Sequence, residues 1–259
     1  SGEGKRVGYG SNTFSRDTSI AKKSNPMGIG RGNGSGCVIS HKYKFVYLHV
    51  LKNGGTAMKN FLRRGLCGDT PFDTPCAAGE KVFSTKLSCN QMVLNNPDYF
   101  VWTMVRNPFS RMFSAYAMLH GNPKTEKSKK VTFQKFVLDK LSRNSLSTMS
   151  KTHYAPQHLF LFANNDCPNF DFIGKLENME EDMEYVLKRI GSPELSNRFE
   201  SNNKNVKKVN TWGDSAREND LGGDLRAAYE DEDVLKTVAN EFARDFRLLG
   251  YDDRNVPQH

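Results

Sequence analysis

Residues 52–56 combine a cationic side chain with a glycine turn in an order that suits an anion. They read Lys-Asn-Gly-Gly-Thr, follow a β-prone run at residues 44–50 and precede residues 57–64, whose apolar positions have helical spacing. A strand, glycine loop and helix in this order direct backbone N–H groups and the positive end of the helix to one place. The segment predicts a phosphate or sulfate site, although the glycines alone fit a tight turn equally well.

A second segment repeats this plan further along the chain. Residues 99–105 predict a strand, Arg106, Asn107 and Pro108 predict a turn, and residues 110–119 predict a helix. Arg106 ends the strand and Ser114 lies two helical turns beyond it, so both side chains reach one anion from the carboxyl end of the strand. Ligands of open α/β sheets bind at that edge.

The two units must be positioned by an α/β domain with a central parallel sheet flanked by helices. Further helices are predicted at residues 132–141, 178–190 and 232–248, and a short strand at 170–173. We expect one domain over residues 37–259. Residues 1–36 contain nine of the 21 glycines and little apolar periodicity, which predicts a flexible Gly/Ser-rich arm.

Composition narrows the class of protein. Lys and Arg number 37 against 29 Asp and Glu among 259 residues, a net charge of +8 that favours anionic partners. No apolar stretch approaches the ~20 residues needed to span a bilayer. The loop of nucleotide hydrolases places its lysine after the glycines, whereas Lys52 precedes them, so an ATPase is not favoured. The RNA-binding and zinc patterns are also absent, so nucleic acid is not expected as a partner.

The five cysteines are scattered and lack the spacing of a zinc site, so no metal is expected. One or two disulfides can form if the chain is secretory, and Cys67 and Cys76 are the closest pair in sequence.

Four ordered segments, with a fifth at residues 245–251, carry a family resemblance. Residues 52–56 resemble the 5′-phosphosulfate loop, and residues 105–116 the 3′-phosphate motif, of sulfotransferases that use 3′-phosphoadenosine-5′-phosphosulfate (PAPS). The Golgi carbohydrate branch of these enzymes, which includes the chondroitin, dermatan and HNK-1 sulfotransferases, has segments similar to three further parts of this chain. These are His-Tyr-Ala-Pro-Gln at 153–157, residues 171–182 and the ending at 245–251. The chain departs from that family at Leu51, where proline is usual, and at Gly55, where serine is frequent.

The resemblance implies a P-loop-like strand–loop–helix and transfer of the sulfuryl group from PAPS to a carbohydrate hydroxyl by in-line displacement, without a metal. It implies a Golgi lumen location, with the cytoplasm as the alternative. By this resemblance, the phosphosulfate is bound by Lys52, Asn53, Gly54, Gly55, Thr56 and Ala57, and the 3′-phosphate by Arg106 and Ser114. Lys208, Asn210 and Thr211 belong to a loop that closes over the nucleotide.

The general base and one arginine have alternative assignments. Glu80, between the two motifs, and His153 are equal candidates for the base, and His49 and Asp73 are further ones. Arg111 either contacts the ligand or forms an internal ion pair with Glu177.

Two other functions fit the same residues. One keeps PAPS but takes a small metabolite or a tyrosyl peptide as the acceptor. The other is a basic glycan-binding module without catalysis, in which the glycine loops are only turns.

Overall fold

The computed structural model describes residues 36–68, 96–120, 131–141, 153–161, 170–205 and 225–257. The predicted arm at residues 1–36 lies outside these ranges except for Gly36, so the division at residue 37 stays a prediction.

Four strands form one sheet in the order β1-β2-β3-β4. Their bounds are Cys37–Ser40 (β1), Phe45–Leu48 (β2), Phe100–Val105 (β3) and Phe172–Lys175 (β4). β2, β3 and β4 are parallel, whereas β1 pairs with β2 in the antiparallel direction. All strand residues but Lys175 are buried, because layers of other elements cover both faces of the sheet. The predicted α/β class with a central parallel sheet is confirmed, and the antiparallel edge strand β1 is an addition.

Eight α-helices surround the sheet in the described ranges. They are Gly55–Cys67 (α1), Pro108–His120 (α2), Phe133–Leu141 (α3), His158–Leu161 (α4), Met179–Ile190 (α5), Pro193–Asn205 (α6), Glu232–Glu241 (α7) and Ala243–Leu249 (α8). Two 3₁₀ turns lie at Leu176–Asn178 and Ala227–Tyr229. Residues 232–248, predicted as one helix, are two, because the backbone leaves helical geometry at Phe242 (φ −106°, ψ 18°). The predicted strand at 170–173 begins at Phe172 instead.

The alternation of side chains along β2 divides the core between the two faces of the sheet. Phe45 and Tyr47 pack with Met58 and Leu62 of α1 on one face, and Val46 and Leu48 belong to the cluster on the other. α1 therefore lies on a fixed face of the sheet and begins where β2 has just ended.

A third apolar cluster holds α2, the helix that follows β3. Phe109 and Met112 of α2 pack with Phe136 of α3 and with Val238 and Phe246 of the C-terminal helices. The hydroxyl of Tyr229 also donates a hydrogen bond to the Phe109 carbonyl at 2.9 Å. The amino end of α2 is thus rigidly placed beside the carboxyl end of β3.

Cys37 and Cys67 are both disulfide-bonded. Cys76, the cysteine nearest to Cys67 in sequence, lies outside the described residues.

Within the ranges given above, no helix has the length and apolarity of a membrane span, and no three His, Cys, Asp or Glu side chains cluster in a way that would hold a metal ion.

Candidate active site

The glycine loop connects β2 to α1 at the carboxyl edge of the sheet. Lys52 and Gly54 both adopt left-handed backbone conformations, with φ of 69°. For lysine this conformation costs ~1–2 kcal/mol, a strain that is typical of functional sites. Within the described part of the chain, no side chain caps the start of α1 and its first turn has no acidic residue. The amino end of α1 is therefore available to an anion.

Lys52 lies in a positively charged environment. Burial, followed by the charges of Arg106 and Arg111, lowers its pKa to about 8. The three cations come from the glycine loop, from the position after β3 and from α2, which the fold brings to one place. An anion binding here would relieve their mutual repulsion.

Arg111 is almost completely buried, at 1% exposure, on the first turn of α2. Its Nε donates to the Leu51 carbonyl at 3.0 Å and its Nη1 to the Ala155 carbonyl at 2.9 Å. Its Nη2 is buried with no hydrogen-bond partner among the described residues. Burial, partly offset by Asp245, lowers the Arg111 pKa to about 10. A buried guanidinium with an unpaired donor is a group prepared for an anion.

The alternative ion pair between Arg111 and Glu177 does not form. Glu177 instead accepts hydrogen bonds from the Asn107 backbone N–H at 2.7 Å and from the Tyr251 hydroxyl at 2.8 Å. Its two oxygens are thus engaged at the turn before α2 and in the C-terminal segment, whereas Nε and Nη1 of Arg111 donate to backbone carbonyls.

The second segment predicted to bind an anion spans the end of β3 and the start of α2. Arg106 follows the last residue of β3, and Ser114 lies in the second turn of α2, half-buried. Ser110, one turn before Ser114, is buried, and its hydroxyl has no partner within the described ranges. Sequence reasoning missed Ser110, although its spacing of four from Ser114 places both on one helix face.

Two of the four candidate bases lie near Lys52. Burial and the charges of Lys52 and Arg111 lower the pKa of His153. Burial lowers the pKa of His49 to about 3, with further contributions from Lys59, Lys52 and His153. Both side chains are therefore neutral near pH 7, and the Nδ1 atom of each is buried without a partner in the described part of the chain.

Asn53 faces the interior rather than solvent. Its Nδ2 donates to the Met104 carbonyl at 3.0 Å and to Oε1 of Gln157 at 2.9 Å, and only 1% of the residue is exposed. Its side chain therefore positions the loop. Thr56, in the first turn of α1, is exposed.

Five predicted site residues lie outside the described ranges: Glu80, Asp73, Lys208, Asn210 and Thr211.

A sequence model described as "Sulfotransferase family" matches residues 35–252 of the chain. This range covers most of the 259 residues and both segments that are predicted to bind anions. No curated protein and no solved structure gives a significant match.

Proposed function

Because the chain belongs to the sulfotransferase family, which makes it an enzyme of sulfuryl transfer, we propose that its donor is PAPS and its acceptor a carbohydrate hydroxyl. The family match sets aside the non-catalytic glycan-binding module. The observation that carries the choice of donor is the unpaired Nη2 of buried Arg111 beside Lys52 and Arg106.

The residues present fit such a donor. PAPS carries one anionic group on each side of its ribose, and this chain offers two anion-binding segments at one edge of its sheet. Lys52 and the first turn of α1, with Gly54, Gly55, Thr56 and Ala57, would hold the phosphosulfate. Arg106 and Ser114 would hold the 3′-phosphate, and Asn53 supports the loop from inside.

The closing loop stays part of the proposal. Lys208, Asn210 and Thr211 would cover the nucleotide, which their charge and polarity suit.

When bound, PAPS supplies an activated sulfuryl group whose leaving group is a phosphate. The protein has to stabilise the charge that grows on that phosphate and to remove the acceptor's proton. Lys52, in the loop before α1, would stabilise the charge on the phosphate. The positive end of the α1 dipole would stabilise the same charge. Arg111 adds positive potential from within the protein.

We assign the proton transfer to His153. The imidazole accepts the acceptor's hydroxyl proton while the hydroxyl oxygen forms its bond to sulfur and the bond from sulfur to the phosphate oxygen breaks. Burial and two cations keep His153 in the neutral form that this step requires. Glu80 remains the competing base, and His49 is less suited because only 5% of it is exposed.

The carbohydrate acceptor and the Golgi lumen belong to the same proposal. The net charge of +8 suits an acidic glycan, and the disulfide-bonded Cys37 and Cys67 suit an oxidising secretory compartment.

Transfer of radioactive sulfate tests the proposal. The protein is incubated with ³⁵S-labelled PAPS and, separately, with chondroitin, a small phenol and a tyrosyl peptide. We expect label in the glycan, loss of labelling in Lys52→Ala, and full labelling in Lys236→Ala, an exposed lysine paired with Glu232. Label in the phenol or peptide alone would overturn the carbohydrate acceptor, and no label in any of the three would overturn the proposal.

A further inference from the structure

The side chain of Gln157 joins the two anion-binding segments. Its Oε1 accepts hydrogen bonds from Asn53 Nδ2 at 2.9 Å and from the Arg106 backbone N–H at 3.0 Å. Its Nε2 donates to the Arg106 carbonyl at 2.8 Å. One fully buried amide thus bonds to the glycine loop after β2 and to both backbone groups of the residue after β3.

Gln157 is itself fixed from a third element. Its backbone N–H donates to Asp245 Oδ2 at 2.6 Å, and the next residue, His158, donates its backbone N–H to Oδ1 at 2.8 Å. The His158 ring also contacts Asp245, with Nδ1 2.6 Å from Oδ1. Asp245 lies on α8 and is completely buried. Because its backbone is held in this way, Gln157 cannot follow one loop away from the other.

We propose that Gln157 is a positioning residue that sets the separation between the phosphosulfate loop and the 3′-phosphate segment. This inference rests on the proposed function, since it concerns the two ends of the same donor nucleotide. Gln157 touches neither phosphate. It acts through Asn53 and Arg106, so that both ends of the nucleotide are held at once.

The chemistry of the amide explains why glutamine suits this position. The site requires an acceptor for two N–H donors and a donor for one carbonyl, and a primary amide provides both on one planar group. A carboxylate would place an oxygen against the Arg106 carbonyl and bury a charge. An apolar side chain of the same length would lose all three of these hydrogen bonds.

The expected consequence concerns two-point binding. Once one phosphate is held, the second binds at an effective concentration set by how well the separation of the sites matches the ligand. A change in that separation leaves each single-phosphate site functional but removes the advantage of binding both.

Calorimetry with three nucleotides measures this advantage. Adenosine 3′,5′-bisphosphate engages both segments, whereas adenosine 5′-monophosphate and adenosine 3′-monophosphate engage one each. For each nucleotide, the fold-loss of affinity caused by Gln157→Met is measured. We expect the fold-loss for the bisphosphate to be at least ten times the product of the fold-losses for the two monophosphates. Gln157→Asn, which retains the amide but shortens the side chain, should show the same sign and serves if the methionine variant does not fold.

The matched control is Thr103→Val. Thr103 is also buried and donates to the Leu48 carbonyl at 2.7 Å, a bond between β2 and β3 that does not join the loops. In Thr103→Val, the fold-loss of affinity for the bisphosphate should equal the product of the fold-losses for the two monophosphates. Multiplicative losses in the Gln157 variants, or the same excess in Thr103→Val, would overturn the positioning role while leaving the proposed function intact. A wild-type protein that binds the bisphosphate no more tightly than the monophosphates would overturn both.

Discussion

The imidazole of His49 lies against the α-carbon of Gly55, at the first position of α1. A β-carbon on Gly55 would fall 1.7 Å from His49 Cδ2 and 2.1 Å from Nε2, where no real contact is tolerated. His49 therefore fills the space that a side chain at residue 55 would occupy. This explains why residue 55 is glycine in this chain, although the family frequently has serine there.

This contact predicts a strong dependence between the two positions. Gly55→Ala should lower the free energy of unfolding by about 1–3 kcal/mol, because the buried ring must move. In a His49→Ala background the same substitution should cost much less, since alanine is the better helix former. Urea unfolding of the four proteins gives the coupling. An equal cost of Gly55→Ala in both backgrounds would contradict the contact.

The lowered pKa of Lys52 predicts that an anion binds together with a proton. With the pKa at about 8, roughly half of Lys52 is neutral at pH 8, and a bound anion raises the pKa toward its ordinary value of 10.5. Binding of adenosine 3′,5′-bisphosphate at pH 8 should therefore take up about half a proton, and affinity should fall as the pH rises further. Calorimetry in buffers of different ionisation enthalpy measures the uptake. Lys52→Arg should abolish it, because guanidinium stays charged, and an unchanged uptake in that variant would reject Lys52 as its source.

Arg111 predicts a requirement for guanidinium rather than for positive charge alone. In arginine, two different nitrogens of a planar fork reach the Leu51 and Ala155 carbonyls and a third nitrogen is left to donate elsewhere, whereas lysine has all its N–H donors on one nitrogen and lacks this fork. We expect sulfate ions to raise the melting temperature of the wild type. Arg111→Lys should reduce that rise and should weaken nucleotide binding at least tenfold. The control is Arg254→Lys, at an exposed arginine. Sulfate stabilisation of Arg111→Lys equal to that of the wild type would show that Nη2 does not bind an anion.

The assignment of the base predicts opposite results for two matched substitutions. His153→Gln should lower kcat by about 10²–10⁴ with little change in nucleotide affinity, and the acidic limb of the wild-type pH profile should lie below 6.5, because the His153 pKa is lowered. Glu80→Gln should leave that limb in place. Loss of turnover in Glu80→Gln together with an active His153→Gln would transfer the role to Glu80.

Local sequence patterns were sufficient to predict the elements that carry the site. β2 and β3 are apolar runs followed by glycine or proline turns, and α1 and α2 begin there. The strand β1 was missed because its pairing with β2 depends on the turn between them, where Lys44 has a φ of 49°. The break at Phe242 was missed because this buried phenylalanine continues the apolar pattern of α7 into α8.

The contacts within the site depend on the tertiary fold. Gln157 meets Asn53, 104 positions away in the chain, and Arg106, 51 positions away, so no local pattern indicates the connection. Arg111 and Glu177 share the region of the α2 amino end, and their opposite charges made an ion pair one of the two interpretations of Arg111. Its Nε and Nη1 donate instead to the Leu51 and Ala155 carbonyls, and sequence patterns give little indication of where carbonyls point.

The most direct measurement of the central claim compares two nucleotides on the wild-type protein by calorimetry. If the edge of the sheet holds two anion sites for a donor of the PAPS type, adenosine 3′,5′-bisphosphate should bind at least tenfold more tightly than adenosine 5′-monophosphate, since a charged hydrogen bond contributes about 1.5–3 kcal/mol. Arg106→Ala and Ser114→Ala should each reduce this preference. Equal affinity of the wild type for the two nucleotides would contradict the account.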